Sequence, residues 1–261
     1  MENTQMRAFA ISAHPDDIEF MMAGTLILLK EAGCEVHYMT VANGSCGTNQ
    51  YDAATIIRMR REESMAAARS IGAFYHESLV NDLEVFYERD ALQRLSSVMR
   101  EVAPDIVLTH GPSEYMEDHS NTCRLAVTAA FARGMPNFPV VPPRPTVARA
   151  VTVYHALPYG LRDPMDRPVR PGVFVDVSGA MAAKRAMLAM HRSQKEWLDV
   201  SQGMDSYLNA MHEMTAAVGR MSGQFAFAEG WMRHLPQGFC AEEADPLRDV
   251  LKCLVVPAGR S

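Results

Sequence analysis

A short apolar run that stops at a proline constrains the fold of this chain more than any other feature. Residues 8–13 read Ala-Phe-Ala-Ile-Ser-Ala, and the sequence His14-Pro-Asp-Asp17 follows directly. The run has no helical spacing, so it predicts a buried strand, and Pro15 ends that strand and holds His14 extended. A helical pattern follows at residues 21–31. A strand followed at once by a helix predicts an open α/β sheet, in which ligands bind at the carboxyl ends of the strands.

Strand-like and helix-like segments alternate along the first half of the chain, which predicts βαβ units and a mostly parallel sheet with helices on both faces. We expect strands at 7–13, 35–42, 105–109, 148–156 and 172–177, and helices at 21–31, 53–71, 90–102 and 121–133. From residue 178 the pattern is helical to about residue 221. The sequence therefore predicts one α/β domain over residues 1–261, in which 178–261 form a mainly helical C-terminal part.

The composition favours a small-molecule partner. Of the 261 residues, 48% are hydrophobic and 21% are charged, and no run of about 18 apolar residues is present to span a bilayer. The formal net charge is −6 and Lys and Arg form no block, which argues against a nucleic-acid or anionic-membrane partner. The five cysteines are an odd number without C-x-x-C spacing, and we recognise no leader, so we expect a cytoplasmic protein.

Two adjacent carboxylates near a histidine have the spacing of a metal site with a neighbouring base. His14 and Asp17 are three residues apart across a tight turn, so both side chains can reach one cation from the same side. An imidazole nitrogen and a carboxylate oxygen suit zinc, or a borderline ion such as iron(II), better than magnesium or calcium. Asp16 is then left to face the substrate as a base. The alternative is that Asp16 or Asp17 only caps the next helix.

A third metal ligand has to come from another strand end, because hydrolytic zinc usually has three protein ligands and a water. The best source is the polar loop after the apolar run 105–109, which contains His110 and His119. Either histidine would complete a His/Asp/His set with His14 and Asp17. Zinc with an open fourth position activates water and polarises a carbonyl, which is the chemistry of amide hydrolysis.

These motifs resemble the LmbE-like (PIG-L) superfamily of zinc-dependent de-N-acetylases. The segment Ala13-His-Pro-Asp-Asp-Ile-Glu-Phe20 is similar to the opening motif of that family, and Asp118-His119 is similar to its later one. Weaker similarities lie in Arg60-x-x-Glu63 and in the helix that leads to His191-x-Ser193-Gln194. The resemblance implies a Rossmann-like fold with the metal at the carboxyl edge of the sheet, and removal of acyl groups, usually acetyl, from the nitrogen of amino sugars.

The resemblance also implies roles for individual residues. His14, Asp17 and His119 are the expected ligands of Zn²⁺ or another divalent transition metal, and Asp16 is the expected general base. Family members often carry a further histidine three positions before the last ligand, which stabilises or protonates the tetrahedral intermediate. Met116 stands at that position here. Our candidates for a replacement donor are three residues, Tyr115, His110 and His155.

Further residues are candidates for contact with the substrate. Arg60 reaches a sugar hydroxyl or phosphate, or else it lies on the solvated face of an Arg-rich helix. Glu19 hydrogen-bonds the substrate or the loop that carries Ser45. Asp118 either accepts a hydrogen bond from His119 or caps the following helix.

Three functions fit these residues. The leading hypothesis is a zinc hydrolase that cleaves an N-acyl, most simply N-acetyl, amide of an amino sugar or glycoconjugate. The second is a zinc-dependent hydratase of a small acidic metabolite, which would need convergent arginines such as Arg162 and Arg167 of the loop at 157–171. The third is a non-catalytic metal- or nucleotide-binding module, in which Asp16 turns away from the metal or no coordination position stays open. The predicted C-terminal helices are apolar and rich in Met, which makes them a candidate interface for a homo-oligomer.

Overall fold

A single eight-stranded sheet organises the molecule. The computed structural model describes residues 5–202 and 206–259. The order of strands across the sheet is β3-β2-β1-β4-β5-β7-β6-β8. The strands are β1 (Arg7–Ser12), β2 (Glu35–Thr40), β3 (Phe74–His76), β4 (Ile106–Thr109), β5 (Thr152–Ala156), β6 (Val173–Asp176), β7 (Ala228–Arg233) and β8 (Val255–Pro257).

Nine α-helices connect or cover these strands within the described residues. They are α1 (Asp17–Met21), α2 (Ala23–Glu31), α3 (Ala53–Ser70), α4 (Arg89–Val102), α5 (Glu117–Ala132), α6 (Met181–Leu188), α7 (Arg192–Gln202), α8 (Ser206–Ser222) and α9 (Pro246–Leu251). No helix in the described part of the chain is long and apolar enough to cross a membrane.

Strands β1 to β5 pair in parallel, whereas β7, β6 and β8 extend the sheet with antiparallel pairs. The predicted α/β class with a mostly parallel sheet is therefore confirmed. Strand β1 lies between β2 and β4, with Ile11 opposite Met39 on one side and Thr109 on the other. This register brings the loops that follow β1 and β4 to the same edge of the sheet.

Side chains along β1 alternate between two apolar layers, as the period of a strand requires. Ala8 and Ala10 pack into a cluster that includes side chains of α1, α2, α6 and α8, whereas Phe9 and Ile11 pack into a second cluster with α4 and α5. Helices thus cover both faces of the sheet. A strand that is buried on both faces reads as a continuous apolar run, which is why β1 is evident in the sequence.

The C-terminal part contains the helices α6 to α9, and within residues 178–261 it also contains β7 and β8, two strands that the sequence did not predict. Strand β7 occupies an interior position between β5 and β6. Its sequence contains Glu229 and Gly230, which interrupt the apolar pattern of a buried strand. Glu229 is nevertheless buried, because its carboxylate bonds to Lys184 of α6. The contact with Lys184 therefore stabilises Glu229, a residue type that is unfavourable in a buried strand.

Helix boundaries near the site also differ from the prediction. The pattern at 21–31 divides into two helices, and the first of them already begins at Asp17. Helix α5 begins at Glu117, four residues before the predicted start, so His119 lies in its first turn. Both shifts place predicted metal ligands at helix N-termini rather than in loops.

Candidate metal centre

Three ligand atoms form a nearly equilateral triangle at the carboxyl edge of the sheet. His14 Nδ1 is 3.3 Å from His119 Nε2, which is 3.4 Å from Asp17 Oδ2, and the remaining side, from His14 Nδ1 to Asp17 Oδ2, is 3.5 Å. Tetrahedral zinc with ligands at about 2.0–2.2 Å separates its ligand atoms by about 3.3–3.5 Å. The spacing of these ligand atoms therefore fits a small divalent metal ion. The three residues are the ones that the family resemblance implies as metal ligands.

The turn after β1 positions two of these side chains. The backbone N–H of Asp17 donates to the carbonyl of His14 at 3.2 Å, and the backbone N–H of His14 donates to Asp17 Oδ2 at 2.7 Å. Between them Asp16 has a φ of 100°, in the left-handed region that residues with a side chain seldom adopt. Strained backbone of this kind is typical of functional sites, and here it directs two neighbouring carboxylates to different partners.

Asp118 orients the first histidine ligand. His14 Nε2 lies 2.9 Å from Asp118 Oδ2, which also accepts the backbone N–H of Leu83 at 2.7 Å. Since the carboxylate takes the hydrogen on Nε2, the lone pair of His14 Nδ1 points into the triangle. From the sequence, Asp118 was expected to accept a hydrogen bond from His119 or to cap α5. The structure corrects both expectations, because the cap residue of α5 is Met116 and Asp118 bonds to His14.

Asp16 sits beside the triangle with two donors. Tyr207 of α8 donates its hydroxyl to Asp16 Oδ2 at 2.6 Å, and Arg60 Nη2 is 3.3 Å from the same oxygen. Burial raises the pKa of Asp16 above its usual range, and Arg60 lowers it only in part. A carboxylate of raised pKa beside a metal site is a candidate general base, because it accepts a proton more readily than a solvated aspartate does.

Unlike the pKa of Asp16, the pKa values of Asp17 and His14 are shifted in the direction that favours the charged form of each side chain. Burial alone would raise the pKa of Asp17, but the adjacent His119, His110 and His14 hold it well below its usual range. Burial lowers the pKa of His14, but its contacts with Asp118 and Asp17 raise it to about 10. In the absence of metal the site thus favours positive charge near His14, at the position where a cation would be bound.

The triangle opens into a cavity of about 410 Å³. Its lining includes four aromatic side chains, and Arg60 is the only Lys or Arg among the described residues that line it. A concave, largely apolar surface with a few convergent polar groups is typical of small-molecule sites. The principal lining residues are His14, Asp16, Asp17, Phe20, Arg60, Asp82, Leu83, Tyr115, Met116, His119, Tyr159 and Tyr207.

Arg60 is buried against the loop that follows β2, which corrects the expectation of a solvated helix face. Its Nη2 donates to the carbonyl of Pro15 at 2.5 Å. Glycines make room for its side chain, since a Cβ at Gly47 would lie 2.2 Å from Arg60 Nη1 and one at Gly44 would lie 2.5 Å from its Cδ. The glycine-rich segment after β2 therefore accommodates Arg60, which in turn holds the turn that carries Asp16.

Three other candidate substrate contacts lie outside the cavity lining. Glu19 is fully buried beneath it, with Tyr38 and His191 as partners at 3.2 and 3.3 Å. His110 is also fully buried and contacts Asp17 from behind. His155 Nδ1 donates to the carbonyl of His110 at 2.8 Å, and its Nε2 lies 2.9 Å from His234 Nδ1. These placements correct the three expectations of substrate contact, whereas Tyr115 does line the cavity.

Sequence reasoning missed three residues around the site. Tyr207 comes from α8, 191 positions away from Asp16, and no local pattern connects them. Asp82 accepts the backbone N–H groups of Gly44 and Cys46 at 2.7 and 2.9 Å and lines the cavity. Glu114 is buried beside His110 and His119. Only Glu114 had a signal in the sequence, since it lies in the same polar loop as the two histidines.

Comparisons with known proteins support the predicted family and the fold. A family model described as PIG-L, GlcNAc-PI de-N-acetylase, matches residues 9–130. That range contains β1 and β4, the turn at His14 and the start of α5. This part of the chain matches the PIG-L family model, which confirms the family resemblance predicted from the sequence.

Individual relatives cover most of the chain. Diacetylchitobiose deacetylase of Thermococcus kodakarensis is 28% identical, with 90% of this chain and 85% of the relative covered. A 4-oxalmesaconate hydratase of Pseudomonas putida is also 28% identical, with 75% and 76% covered. Among solved structures, the N,N'-diacetylchitobiose deacetylase of Pyrococcus horikoshii has a TM-score of 0.74 at 23% identity, with 89% of this chain and 85% of that chain covered. GalB, the 4-carboxy-2-hydroxymuconate hydratase of Pseudomonas putida, has 0.73 at 25% identity, with 92% and 100% covered.

Proposed function

We propose that this protein is a zinc-dependent hydrolase that removes an N-acyl group, most simply acetyl, from an amino sugar or glycoconjugate. The observation that carries the proposal is the ligand triangle of His14, Asp17 and His119 with the spare carboxylate of Asp16 in the same cavity. A non-catalytic module would turn Asp16 away from the metal. The deacetylase relatives and the PIG-L family support the reaction class.

Zinc held by these ligands would supply an activated water and polarise the amide carbonyl. The residues of the chain perform the proton transfers. Asp16, held in one rotamer by Tyr207, accepts the proton of the attacking water and delivers it to the departing amine nitrogen. Arg60 stabilises the carboxylate form of Asp16 between these two transfers.

Tyr115 is our candidate for the group that stabilises the developing oxyanion. Among the three replacement donors suggested by the sequence, it is the one that lines the cavity, whereas His110 and His155 do not. Its ring packs edge-on against His119, with centroids 5.2 Å apart. A phenol there would donate a hydrogen bond where the family often places a histidine, and where this chain has Met116.

The cavity suits a sugar better than a strongly anionic substrate. Its aromatic side chains, Phe20, Tyr115, Tyr159 and Tyr207, offer flat apolar faces. Its one arginine already faces Asp16. The relatives named diacetylchitobiose deacetylase and, from Bacillus cereus, probable N-acetyl-alpha-D-glucosaminyl L-malate deacetylase 2 support an N-acetylated sugar as substrate.

An acetate-release screen tests the proposal. Protein loaded with one equivalent of zinc is incubated with N,N'-diacetylchitobiose and a panel of N-acetylated amino sugars, and free acetate and free amine are measured. We expect equal amounts of both products from at least one substrate. Failure across the panel, with zinc bound, would reject the proposed reaction.

Hydration of a small acidic metabolite is the second candidate, because the hydratase relatives match this chain about as well as the deacetylases do. The arginines that the sequence analysis suggested for such a substrate are occupied elsewhere. Arg167 Nε is 2.7 Å from Asp163 and Arg162 Nη1 is 3.4 Å from Asp166, all in the loop before β6. Loss of ultraviolet absorbance from 4-carboxy-2-hydroxymuconate, with no acetate from the sugar panel, would favour this second candidate.

A further inference from the structure

A buried carboxylate faces two stacked imidazoles behind the metal centre. The rings of His110 and His119 have centroids 4.1 Å apart and planes inclined by 21°. Glu114 Oε1 lies 3.6 Å from His110 Nδ1, and Oε2 lies 3.6 Å from His119 Nδ1. The side chain of Glu114 is fully buried, and neither of its oxygens has a hydrogen-bond partner among the described residues. Such a carboxylate is costly unless donors face it.

The other nitrogen of each ring faces away from Glu114. Ala13 donates its backbone N–H to His110 Nε2 at 2.9 Å, and Asp17 Oδ2 lies farther from that nitrogen, at 3.3 Å. His119 Nε2 is directed toward His14 and Asp17 as a corner of the ligand triangle. A neutral imidazole carries its hydrogen on one nitrogen only. A neutral ring at either position therefore has its hydrogen on Nδ1, facing Glu114.

We infer that Glu114 is a positioning residue that sets the tautomer of both histidines. Each of its two oxygens faces the Nδ1–H of one ring at 3.6 Å, and the Nε2 lone pairs are then free to accept. The lone pair of His119 is directed at the metal. The lone pair of His110 holds the backbone of Ala13, the residue that precedes the ligand His14.

The stacked geometry favours this function over a second metal ion between the same three residues. A metal needs the lone pairs of its ligands to converge, and the lone pairs of an imidazole lie in the plane of the ring. Two nearly parallel rings direct their Nδ1 atoms side by side. Two parallel N–H groups match the two oxygens of a carboxylate, in the same manner as an arginine fork.

A tautomer measurement tests the inference. It rests on the proposed metal site, but its first readout uses metal-free protein. With ¹⁵N-labelled histidine, long-range ¹H–¹⁵N NMR should report the Nδ1–H form for His110 and His119. The Glu114→Gln variant offers one oxygen and one NH₂ group, so at least one of the two rings should change its tautomer. Zinc affinity, from titration against a chelator, should fall about 10- to 100-fold.

Glu117→Gln is the matched control, because Glu117 is exposed in the first turn of α5 and should alter neither readout. An Nε2–H tautomer at His119 in the wild-type protein, or two zinc ions per chain, would overturn the inference. Both of these measurements use wild-type protein, so they decide the matter even if Glu114→Gln does not fold. Absence of acetate release, with the expected tautomers and one zinc, would count against the proposed function alone.

Discussion

The buried ion pair between Lys184 and Glu229 should be one of the most sensitive points of the fold. Glu229 accepts the backbone N–H groups of Gly24 and Thr25 at 2.8 Å each, and Lys184 Nζ lies 2.5 Å from its Oε1. Lys184 also donates to the carbonyl of Phe20 at 3.0 Å, and its side chain is fully buried. The pair therefore links α6 and β7 to the junction of α1 and α2.

Replacing Lys184 with Met removes one charge and leaves the carboxylate of Glu229 buried without its cation. Removal of one partner of a buried pair costs about 3–5 kcal/mol of unfolding free energy. In the double variant Lys184→Met/Glu229→Gln no charge is left, so the loss should be smaller than the sum of the two single losses by at least about 1 kcal/mol.

Equilibrium urea unfolding, followed by circular dichroism, measures these differences provided that the slope against urea is unchanged. Arg61→Gln is the control, because Arg61 pairs with Glu77 on the surface and should contribute only about 0–1 kcal/mol. A loss below about 1 kcal/mol for Lys184→Met, or strict additivity in the double variant, would refute the reasoning.

Three further predictions concern the site and its surroundings. Tyr207→Phe removes the 2.6 Å hydrogen bond to Asp16, so steady-state kinetics should show kcat reduced about 10- to 100-fold with KM little changed; an unchanged kcat would contradict the assignment. Gly47→Ala places a Cβ 2.2 Å from Arg60 Nη1, so it should lower both activity and the unfolding free energy, which a variant with wild-type values for both would disprove. Burial lowers the pKa of His155 to about 4, so the unfolded chain binds more protons than the folded one between about pH 6.5 and pH 4. The unfolding free energy of the wild-type protein should therefore decrease as the pH falls through that window. In urea titrations at pH 7 and pH 4.5, His155→Gln should make this decrease smaller by up to about 3 kcal/mol. Equal decreases in the two proteins would contradict the prediction.

The sequence predicted those parts of the fold that depend on local pattern. Strand β1 was evident because both of its faces are buried, and the turn at His14 was evident because Pro15 and two carboxylates follow an apolar run. The resemblance added His119 as the partner of that turn, and the structure places it there.

Long-range contacts were beyond this reasoning. Strand β7 was missed because Glu229 is stabilised by Lys184, 45 positions away. Tyr207 has no pattern that connects it to Asp16, since only the packing of α8 brings them together. The sequence also does not show which side chains line a cavity, and His155, a predicted substrate contact, lies outside the lining. Residue type and spacing indicated the chemistry of the site, whereas the supporting contacts required the fold.

The most direct test of the account is the rate of acetate release by an Asp16→Asn variant that retains its zinc. In the proposed mechanism His14, Asp17 and His119 bind the metal and Asp16 transfers the proton, so the zinc content of this variant should stay at one ion per chain. The rate on the best N-acetylated sugar should fall about 100- to 10,000-fold relative to wild-type protein. A zinc-loaded variant that releases acetate at the wild-type rate would contradict the central claim.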